Sequence, residues 1–170
     1  MASPSTKRFT NICVFGDTNY RKYREFVEAA THLGKVLAEQ KIHLVYGGGN
    51  LGLMGCVSPV TRDGGSQILG IVPKPMAAAD IIGKTNGEVL VEFGMPERLT
   101  AMLHHADAFI AMPGGFGTLE EIFTMASWAQ LHIHEKLIGL LNVNKFYDEV
   151  IQSIQNYGEV RWQNKHRFQV

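Results

Sequence analysis

Short, nearly continuous apolar runs alternate with segments of helical spacing along the chain. Such runs are typical of strands covered on both faces, because a solvent-facing side would introduce alternating polar residues. The runs occupy residues 11–16, 42–49, 66–72, 88–93, 106–115 and 136–143. Strands that alternate with helices predict an α/β fold, a doubly wound parallel sheet with helices on both faces.

The segments between these runs carry apolar residues at the spacing of amphipathic helices. The clearest examples lie within residues 26–37, 119–126 and 146–154. Residues 73–87 form the longest irregular stretch, and we expect a loop there with at most a short helical turn. Loops of this length beside a site often cover it.

Composition limits the size of the fold and the partners of the chain. The 170 residues favour a single domain with a real core. Lys plus Arg and Asp plus Glu each number 16, so the net charge provides no general attraction to nucleic acids or acidic membranes. No apolar run in the sequence reaches membrane-spanning length. We therefore expect no nucleic-acid partner and no membrane partner.

The cysteines and the N-terminus predict where the protein resides. Cys13 and Cys56 lie in apolar surroundings, which favours buried thiols in a reducing compartment over a disulfide. The N-terminal segment "MASPSTKR" is polar and lacks the apolar core of a signal peptide. We expect a cytoplasmic protein, with the nucleus as a second location.

The first glycine turn, "YGGGNLGLMG" at residues 46–55, follows the second predicted strand. Gly47, Gly49 and Gly52 match G-x-G-x-x-G, but the next strand ends in "GIVPKP" without the acidic residue that dinucleotide binding requires. A P-loop is also excluded, because no Gly-Lys-Ser/Thr follows. The remaining interpretation is an anion site made of backbone N–H groups and of the helix that starts near Leu53.

The second glycine turn, "MPGGFGTLEE" at residues 112–121, follows the fifth predicted strand. Thr118 and Glu121 have the spacing of a capping box, in which Thr118 caps a helix and neither residue has a chemical role. A tight turn needs one or two glycines, so a third favours close approach of a ligand to the backbone. The three glycines are Gly114, Gly115 and Gly117.

A carboxylate beside an anion site requires a nearby cation, and Arg98 in "GMPERLTAM" is the best candidate. It lies at the start of a helix that follows a strand, on the same edge of the sheet. The alternative is a surface ion pair with Glu97 or another solvated neighbour, and spacing leaves the two interpretations equal. Glu120 and Glu121 diverge by about 100° on a helix, so only one of them can face the site.

At this point the motifs resemble a known family. "PGGFGTLEE" matches PGGxGTxxE, and "MPER" matches most of M-x-x-R-K. "LVYGGGNLGLMG", "ILGIVPK", "WAQLHIHEK" and "IGLLNVNKFYDEV" follow the same family in order. The chain resembles the LONELY GUY family, the cytokinin riboside 5′-monophosphate phosphoribohydrolases. The resemblance implies a polar arm (residues 1–9), a single Rossmann-like domain (residues 10–156) and a divergent polar tail (residues 157–170).

The resemblance also implies a reaction, hydrolysis of the N-glycosidic bond of an N6-substituted adenosine 5′-monophosphate to the free base and ribose 5-phosphate. Glu121 would stabilise the positive charge that develops on the ribose or activate water, and Arg98 would position the substrate and assist departure of the base. Both would touch the substrate. The other implied contacts are Thr18, Gly48, Gly49, Gly52, Met54, Asp80, Leu99, Gly114, Gly115, Phe116, Gly117, Thr118 and Glu120. For Met54, contact with the adenine face and core packing are equally favoured.

The resemblance implies no metal or organic cofactor, and it implies a homodimer. Such proteins often carry the label "lysine decarboxylase", but nothing in the sequence supports a pyridoxal phosphate site. His132, His134 and Glu135 could hold a metal, although a structural role is favoured. On the helix after Glu121, the apolar residues Met125 and Trp128 are expected at the dimer contact.

The chain departs from the family pattern near the site. Leu99 replaces a Lys, Asp80 replaces a Glu, and the first strand ends in Gly-Asp-Thr, which puts Asp17 near the expected phosphate. The chain also diverges after about residue 158. These departures leave open a carrier or sensor of the same fold, such as a molybdenum-cofactor carrier. A broader AMP nucleosidase is a further alternative, because the named residues recognise phosphate and ribose better than the N6 substituent.

Overall fold

A computed structural model of the protein describes residues 9–17, 23–79 and 83–157, the last four of them by their backbone alone. The predicted contacts Thr18 and Asp80 therefore lie outside the described residues. So do most of the predicted arm and nearly all of the predicted tail.

Six parallel strands form one sheet in the order β4-β3-β2-β1-β5-β6. The strands are β1 (Asn11–Phe15), β2 (His43–Tyr46), β3 (Ile68–Pro73), β4 (Glu88–Glu92), β5 (Ala108–Ala111) and β6 (Leu137–Leu140). The helices are α1 (Arg24–Glu39), α2 (Met54–Asp63), α3 (Lys74–Ala79), α4 (Met95–His105), α5 (Phe116–Gln130) and α6 (Asp148–Tyr157), and a 3₁₀ turn spans Val143–Lys145. The predicted fold class is confirmed.

The sheet separates two hydrophobic cores, because successive side chains of a strand point to opposite faces. Along β1, Ile12 and Val14 pack towards α1 and α2, whereas Cys13 and Phe15 pack towards α4 and α5. The central strands β1 and β5 are almost entirely buried, and the edge strands β4 and β6 are partly exposed. This gradient explains why the central strands give the clearest apolar runs.

The connection between β3 and β4 contains more regular structure than the sequence predicts. Residues 74–79 form the six-residue helix α3, and none of its side chains is buried. The helix lies within the segment expected to be irregular, where only a short helical turn was allowed. With no apolar face to bury, α3 gives no periodic signal that the sequence could reveal.

The order of the strands places a crevice above the middle of the sheet. The chain runs outwards from β1 to β4 and then returns to β5 on the other side of β1. Ligands of doubly wound sheets bind where the strand order reverses, beyond the carboxyl ends of the strands. Here that place lies above β1 and β5, where the second glycine turn begins.

Candidate active site

Helix α5 starts two residues before the predicted cap. Gly115 is the N-cap, its backbone is extended, and no side chain caps the helix. The prediction that Thr118 caps α5 is therefore wrong. Thr118 sits inside the first turn with its side chain against Gly114, where any Cβ would collide with the threonine hydroxyl. Because Gly115, in extended conformation, is the N-cap, the helix begins at Phe116 and includes Thr118.

The first turn of α5 offers free backbone donors. The first N–H of this helix to be satisfied is that of Leu119, which donates to the Gly115 carbonyl at 3.0 Å. Among the described residues, the N–H groups of Phe116, Gly117 and Thr118 find no acceptor. Unpaired donors at a helix N-terminus, together with the helix dipole, favour binding of an anion. The geometry supports the anion site predicted for the second glycine turn.

Asp17, two residues after the end of β1, joins the two glycine turns. Its N–H donates to the Pro113 carbonyl at 3.4 Å, and its carbonyl accepts from the Leu53 N–H at 3.0 Å. Its carboxylate lies 3.1 Å from the position that a Cβ on Gly115 would take. A phosphate at the N-terminus of α5 would therefore meet a negative charge nearby, as the sequence suggested.

A buried ion pair lies next to this crevice. Arg98 from α4 and Glu121 from α5 are only 8% and 7% exposed, and Nη1 of Arg98 donates to Oε1 of Glu121 at 2.9 Å. Nε of Arg98 donates to the Ile71 carbonyl at the end of β3, at 3.0 Å. The alternative of a surface ion pair with Glu97 is thus wrong. Arg98, on the helix that follows β4, thus reaches across the sheet edge to Glu121, on the helix that follows β5.

The first glycine turn packs against the same guanidinium. A Cβ on Gly47 would lie 2.5 Å from Nη2 of Arg98, so any side chain there would displace the guanidinium. Gly48 and Gly52 have φ values of +83° and +55°, which glycine adopts without steric cost. Sequence reasoning placed Gly47 in the G-x-G-x-x-G match but missed its contact with Arg98. The contact depends on a residue 51 positions away in sequence, which no local pattern reports.

Burial shapes the protonation of the site. Loss of solvation raises the pKa of Glu121 above its usual value, while the charge of Arg98 and its hydrogen bond lower it, and Glu120 adds a smaller upward contribution. Burial likewise raises the pKa of Cys13, with a further increase from Glu121 and an opposing effect of Arg98. The Cys13 thiol is therefore protonated and inert at neutral pH. The protonation state of Glu121 therefore depends on the balance between burial, which raises its pKa, and the charge of Arg98, which lowers it.

The remaining predicted contacts divide between surface and core. Phe116 is 94% exposed, and Glu120 is also exposed. Met54 is buried in the core beneath α1 and α2, in keeping with the packing interpretation. Leu99 is buried in the core on the α4 and α5 side. The structure thus brings Arg98 and Glu121 together with both glycine turns, and it places Met54 and Leu99 in packed positions.

The ring of His134 in "LHIHEK" is hydrogen-bonded within the protein. Both ring nitrogens of His134 are occupied: Nδ1 accepts from the Lys136 N–H at 3.0 Å, so Nε2 carries the proton and donates to the Met125 carbonyl at 2.9 Å. The structural interpretation of His134 is confirmed. In the described part of the chain, no three His, Cys, Asp or Glu side chains are grouped so as to hold a metal ion.

Met125 is fully buried within the protomer, so the prediction that it lies at a subunit contact is wrong. Its side of α5 packs into the same core as Ile122 and Met102, and Trp128 is half-buried against that core. The sequence could not distinguish core positions from subunit-contact positions on α5, because this helix carries apolar residues on nearly all of its sides. Across residues 9–17, 23–79 and 83–157, none of the helices has the length and apolar character to span a membrane.

Comparison with known proteins gives consistent matches. A protein-family model described as "possible lysine decarboxylase" matches residues 54–168. The cytokinin riboside 5′-monophosphate phosphoribohydrolase LOG of Oryza sativa subsp. japonica is 48% identical over 147 residues, which are 86% of this chain and 61% of that protein. The corresponding enzyme LOG3 of Arabidopsis thaliana is 45% identical over 152 residues, 89% of this chain and 71% of that protein. The chain thus spans about three fifths of the length of the rice relative.

Among solved structures, the molybdenum cofactor carrier protein of Chlamydomonas reinhardtii superimposes with a TM-score of 0.67 and 23% identity, over 88% of this chain and 86% of that chain. At this identity the likeness concerns the fold alone. It has no bearing on the ligand.

Proposed function

The chain belongs to the LONELY GUY family, and on that premise we propose that it is a hydrolase of cytokinin riboside 5′-monophosphates. It cleaves the N-glycosidic bond of these N6-substituted adenosine nucleotides and releases the free base and ribose 5-phosphate. The observation that carries the proposal is the buried pair of Arg98 and Glu121, held between two glycine turns.

The carboxylate of Glu121 supplies the central chemistry in this proposal. As the bond between ribose and base breaks, positive charge develops on the ribose, and a nearby carboxylate stabilises that charge or takes a proton from the attacking water. Both roles require the ionised form, which burial disfavours. Arg98 counteracts the effect of burial by its charge and hydrogen bond, and its bond to the Ile71 carbonyl fixes the guanidinium.

The backbone donors hold the substrate in place. The 5′-phosphate binds the N–H groups at the start of α5, which donate to no acceptor among the described residues. The contacts expected from the family resemblance belong to the same proposal. They are Thr18, Gly48, Gly49, Gly52, Met54, Asp80, Leu99, Gly114, Gly115, Phe116, Gly117, Thr118 and Glu120.

Lysine decarboxylation, which the description of the family model suggests, does not fit the described residues. Pyridoxal phosphate enzymes bind the cofactor through a desolvated lysine amine. Of the described lysines only Lys136 is partly buried, and its ammonium donates to the carbonyls of Leu103 and Ala106 at the end of α4. This amine stabilises a helix terminus. These hydrogen bonds hold the Lys136 ammonium at the C-terminal end of α4, apart from the pair of Arg98 and Glu121.

The test is incubation of the purified protein with isopentenyladenosine monophosphate and, separately, with AMP, following free base and ribose 5-phosphate. We expect release from the first substrate alone, or much faster release from it. Glu121→Gln should abolish release while the fold is kept, and Glu97→Gln, at an exposed glutamate beside Arg98, is the matched control. Undiminished turnover in Glu121→Gln would contradict the mechanism.

Two other outcomes would change the function. Equal release from both nucleotides would identify a broader AMP nucleosidase, because the described site residues are suited to phosphate and ribose and do not single out an N6 substituent. Tight nucleotide binding without release would identify a carrier or sensor, with Asp17 beside the phosphate site as the first feature to examine.

We also propose a cytoplasmic homodimer built on one domain, residues 10–156. Two free cysteines fit a reducing compartment. For the subunit contact we favour the outer face of α5, where Phe116 and Phe123, seven residues apart and so within about 20° of each other, are both exposed. Leu131 and Ile133, which follow α5 directly in sequence, are exposed as well. Phe123→Glu should give a monomer by light scattering, and a wild-type protein that is already monomeric would contradict the proposal.

A further inference from the structure

A hydrogen-bond network lies beneath the first glycine turn and joins it to the connection that leads into β4. The hydroxyl of Thr85 donates to the Gly48 carbonyl at 2.7 Å, and the buried hydroxyl of Tyr46 donates to the same oxygen at 3.3 Å. The Tyr46 oxygen in turn accepts from the Asn86 N–H at 3.2 Å. The Asn86 side chain donates to the fully buried hydroxyl of Ser58 on α2 at 2.9 Å.

Tight packing accompanies these bonds. A Cβ on Gly70 of β3 would lie 2.7 Å from the Cα of Gly48, and a Cβ on Gly48 would collide with Val72. A Cβ on Gly83 would likewise collide with the Asn50 side chain, so the two segments also meet at a second point. The first glycine turn is therefore clamped from behind against β3 and residues 83–87.

The clamp determines the direction of one backbone donor. All described peptide bonds are trans, and in a trans peptide the C=O and the following N–H point in opposite directions. Because the Gly48 carbonyl points at Thr85 and Tyr46, the N–H of Gly49 points away from the network. Gly49 is buried, yet its N–H finds no acceptor among the described residues. A buried N–H without a protein partner is rare in folded proteins, and such a group bonds to ordered water or to a ligand.

We propose that Thr85 is a positioning residue of the substrate site: its bond to the Gly48 carbonyl presents the Gly49 N–H to an oxygen of the nucleotide. The inference rests on the proposed function, since it assumes that a nucleotide occupies the crevice above the first glycine turn. Thr85 acts only through the backbone and does not itself touch the substrate. Its loss should weaken ground-state binding and leave the chemical step almost unchanged.

The experiment compares Thr85→Val, which keeps the shape and removes the donor, with Thr85→Ser, which keeps the donor. We expect the KM for the nucleotide to rise about 5- to 30-fold in Thr85→Val, the range that follows from loss of one or two hydrogen bonds, with kcat within about twofold of wild type. Thr85→Ser should restore the wild-type KM. Thr100→Val, at an exposed threonine whose hydroxyl also donates to a carbonyl, is the matched control and should change neither constant.

Binding measurements separate this inference from the proposed function. Calorimetric titration with AMP and with adenosine reports the same contact without turnover, so a wild type that releases no base still tests it. A weaker affinity of Thr85→Val for AMP alone would place the oxygen on the phosphate, and an equal loss with adenosine would place it on the ribose. Both outcomes support the inference.

A purely structural role for Thr85 would give a different pattern. Thr85→Val would then unfold at a lower temperature but bind AMP as tightly as wild type under conditions where it is folded, and that result would overturn the inference. Tyr46→Phe provides a second variant, because it removes the other donor to the Gly48 carbonyl. A folded Tyr46→Phe protein should also bind AMP more weakly, and unchanged affinity in both variants would reject the clamp.

Discussion

The two glycine turns look alike in sequence but need their glycines for different physical reasons. In the first turn, Gly47 makes room for Arg98, and Gly48 has a positive φ and packs against β3. The fold itself requires these glycines. In the second turn, Gly114 makes room for Thr118, but a Cβ on Gly117 would meet nothing within 4 Å, and Gly117 has no positive φ.

Gly117 therefore destabilises helix α5, and neither packing nor backbone conformation requires a glycine at this position. Glycine inside a helix is about 1 kcal/mol less favourable than alanine, and no neighbour forces its presence in the first turn of α5. A residue that the fold does not need is explained best by an incoming ligand or partner. The first glycine turn is thus packed tightly against Arg98 and β3. The second glycine turn borders the side of the crevice that is open to a ligand.

The largest effect should come from removing the cation between the two turns. Arg98→Met leaves Glu121 buried without its partner, and breaking a buried pair in this way costs about 3 kcal/mol or more. Turnover should fall about a thousandfold, because the protonated carboxyl can neither stabilise charge nor accept a proton. Urea unfolding and initial rates measure the two effects.

The matched control is Arg62→Met, which removes an exposed ion pair with Asp63. Its effect on the free energy of unfolding should stay below about 1 kcal/mol. Equal stability of the two variants would show that Arg98 and Glu121 do not form a buried pair in solution.

Gly48→Ala should test the tight packing of the first glycine turn. The methyl group would be held at a positive φ and pushed against Val72, so we expect a loss of about 2 kcal/mol or more in the free energy of unfolding. Gly65→Ala introduces the same backbone strain, at a φ of +93°, into open space. If Gly48→Ala were no more damaging than Gly65→Ala, the packing against β3 would be unimportant.

The pH dependence should report the raised pKa of Glu121. A carboxyl whose pKa is raised by folding binds more protons in the folded state, so its stabilising contribution is present below the unfolded pKa of about 4.3 and is lost as pH rises through the folded pKa. Wild type should therefore lose stability relative to Glu121→Gln between about pH 4 and the folded pKa. Urea unfolding of both proteins up to about pH 8 measures the difference.

Two other buried groups, Cys13 and Tyr46, stay protonated over this range, since burial raises their pKa values above the ordinary values of 9.0 and 10.0. They do not disturb the comparison. A constant difference between wild type and Glu121→Gln at all pH values would show that folding leaves the carboxyl unperturbed.

The smallest change in stability should accompany Gly117→Ala, and it should be favourable. Alanine in the first turn of α5 should stabilise the protein by about 0.5 kcal/mol. The new methyl group would stand where the phosphate approaches the N–H donors, so catalytic efficiency should fall at least about tenfold. Thermal unfolding and steady-state kinetics measure the two opposite effects.

Ser127→Ala, on the exposed face of the same helix, provides the control: it brings a similar gain in helix propensity without a change in activity. Full activity in Gly117→Ala would remove the reason for treating the second turn as the open side of the crevice.

The sequence predicted the strands well because burial on both faces leaves a local record of continuous apolar residues, as in β1 and β5. It failed at the start of α5. Thr118 and Glu121 have the spacing of a capping box, but Gly115 in extended conformation begins the helix earlier, and Glu121 pairs with Arg98 instead. A capping box is a local pattern, and in the folded protein Glu121 pairs with Arg98 instead of capping α5.

The local pattern of the chain by itself determined the fold class and the positions of both glycine turns, and it made Arg98, Glu120 and Glu121 the charged candidates near them. Tertiary structure alone decided that Arg98 and Glu121 pair with each other, that Gly47 lies against the guanidinium and that Thr85 holds Gly48 from behind. The reason is distance along the chain. Strand and helix patterns arise between near neighbours, whereas the site is assembled where the ends of β2, β3 and β5 converge, and only folding brings those residues within hydrogen-bonding range.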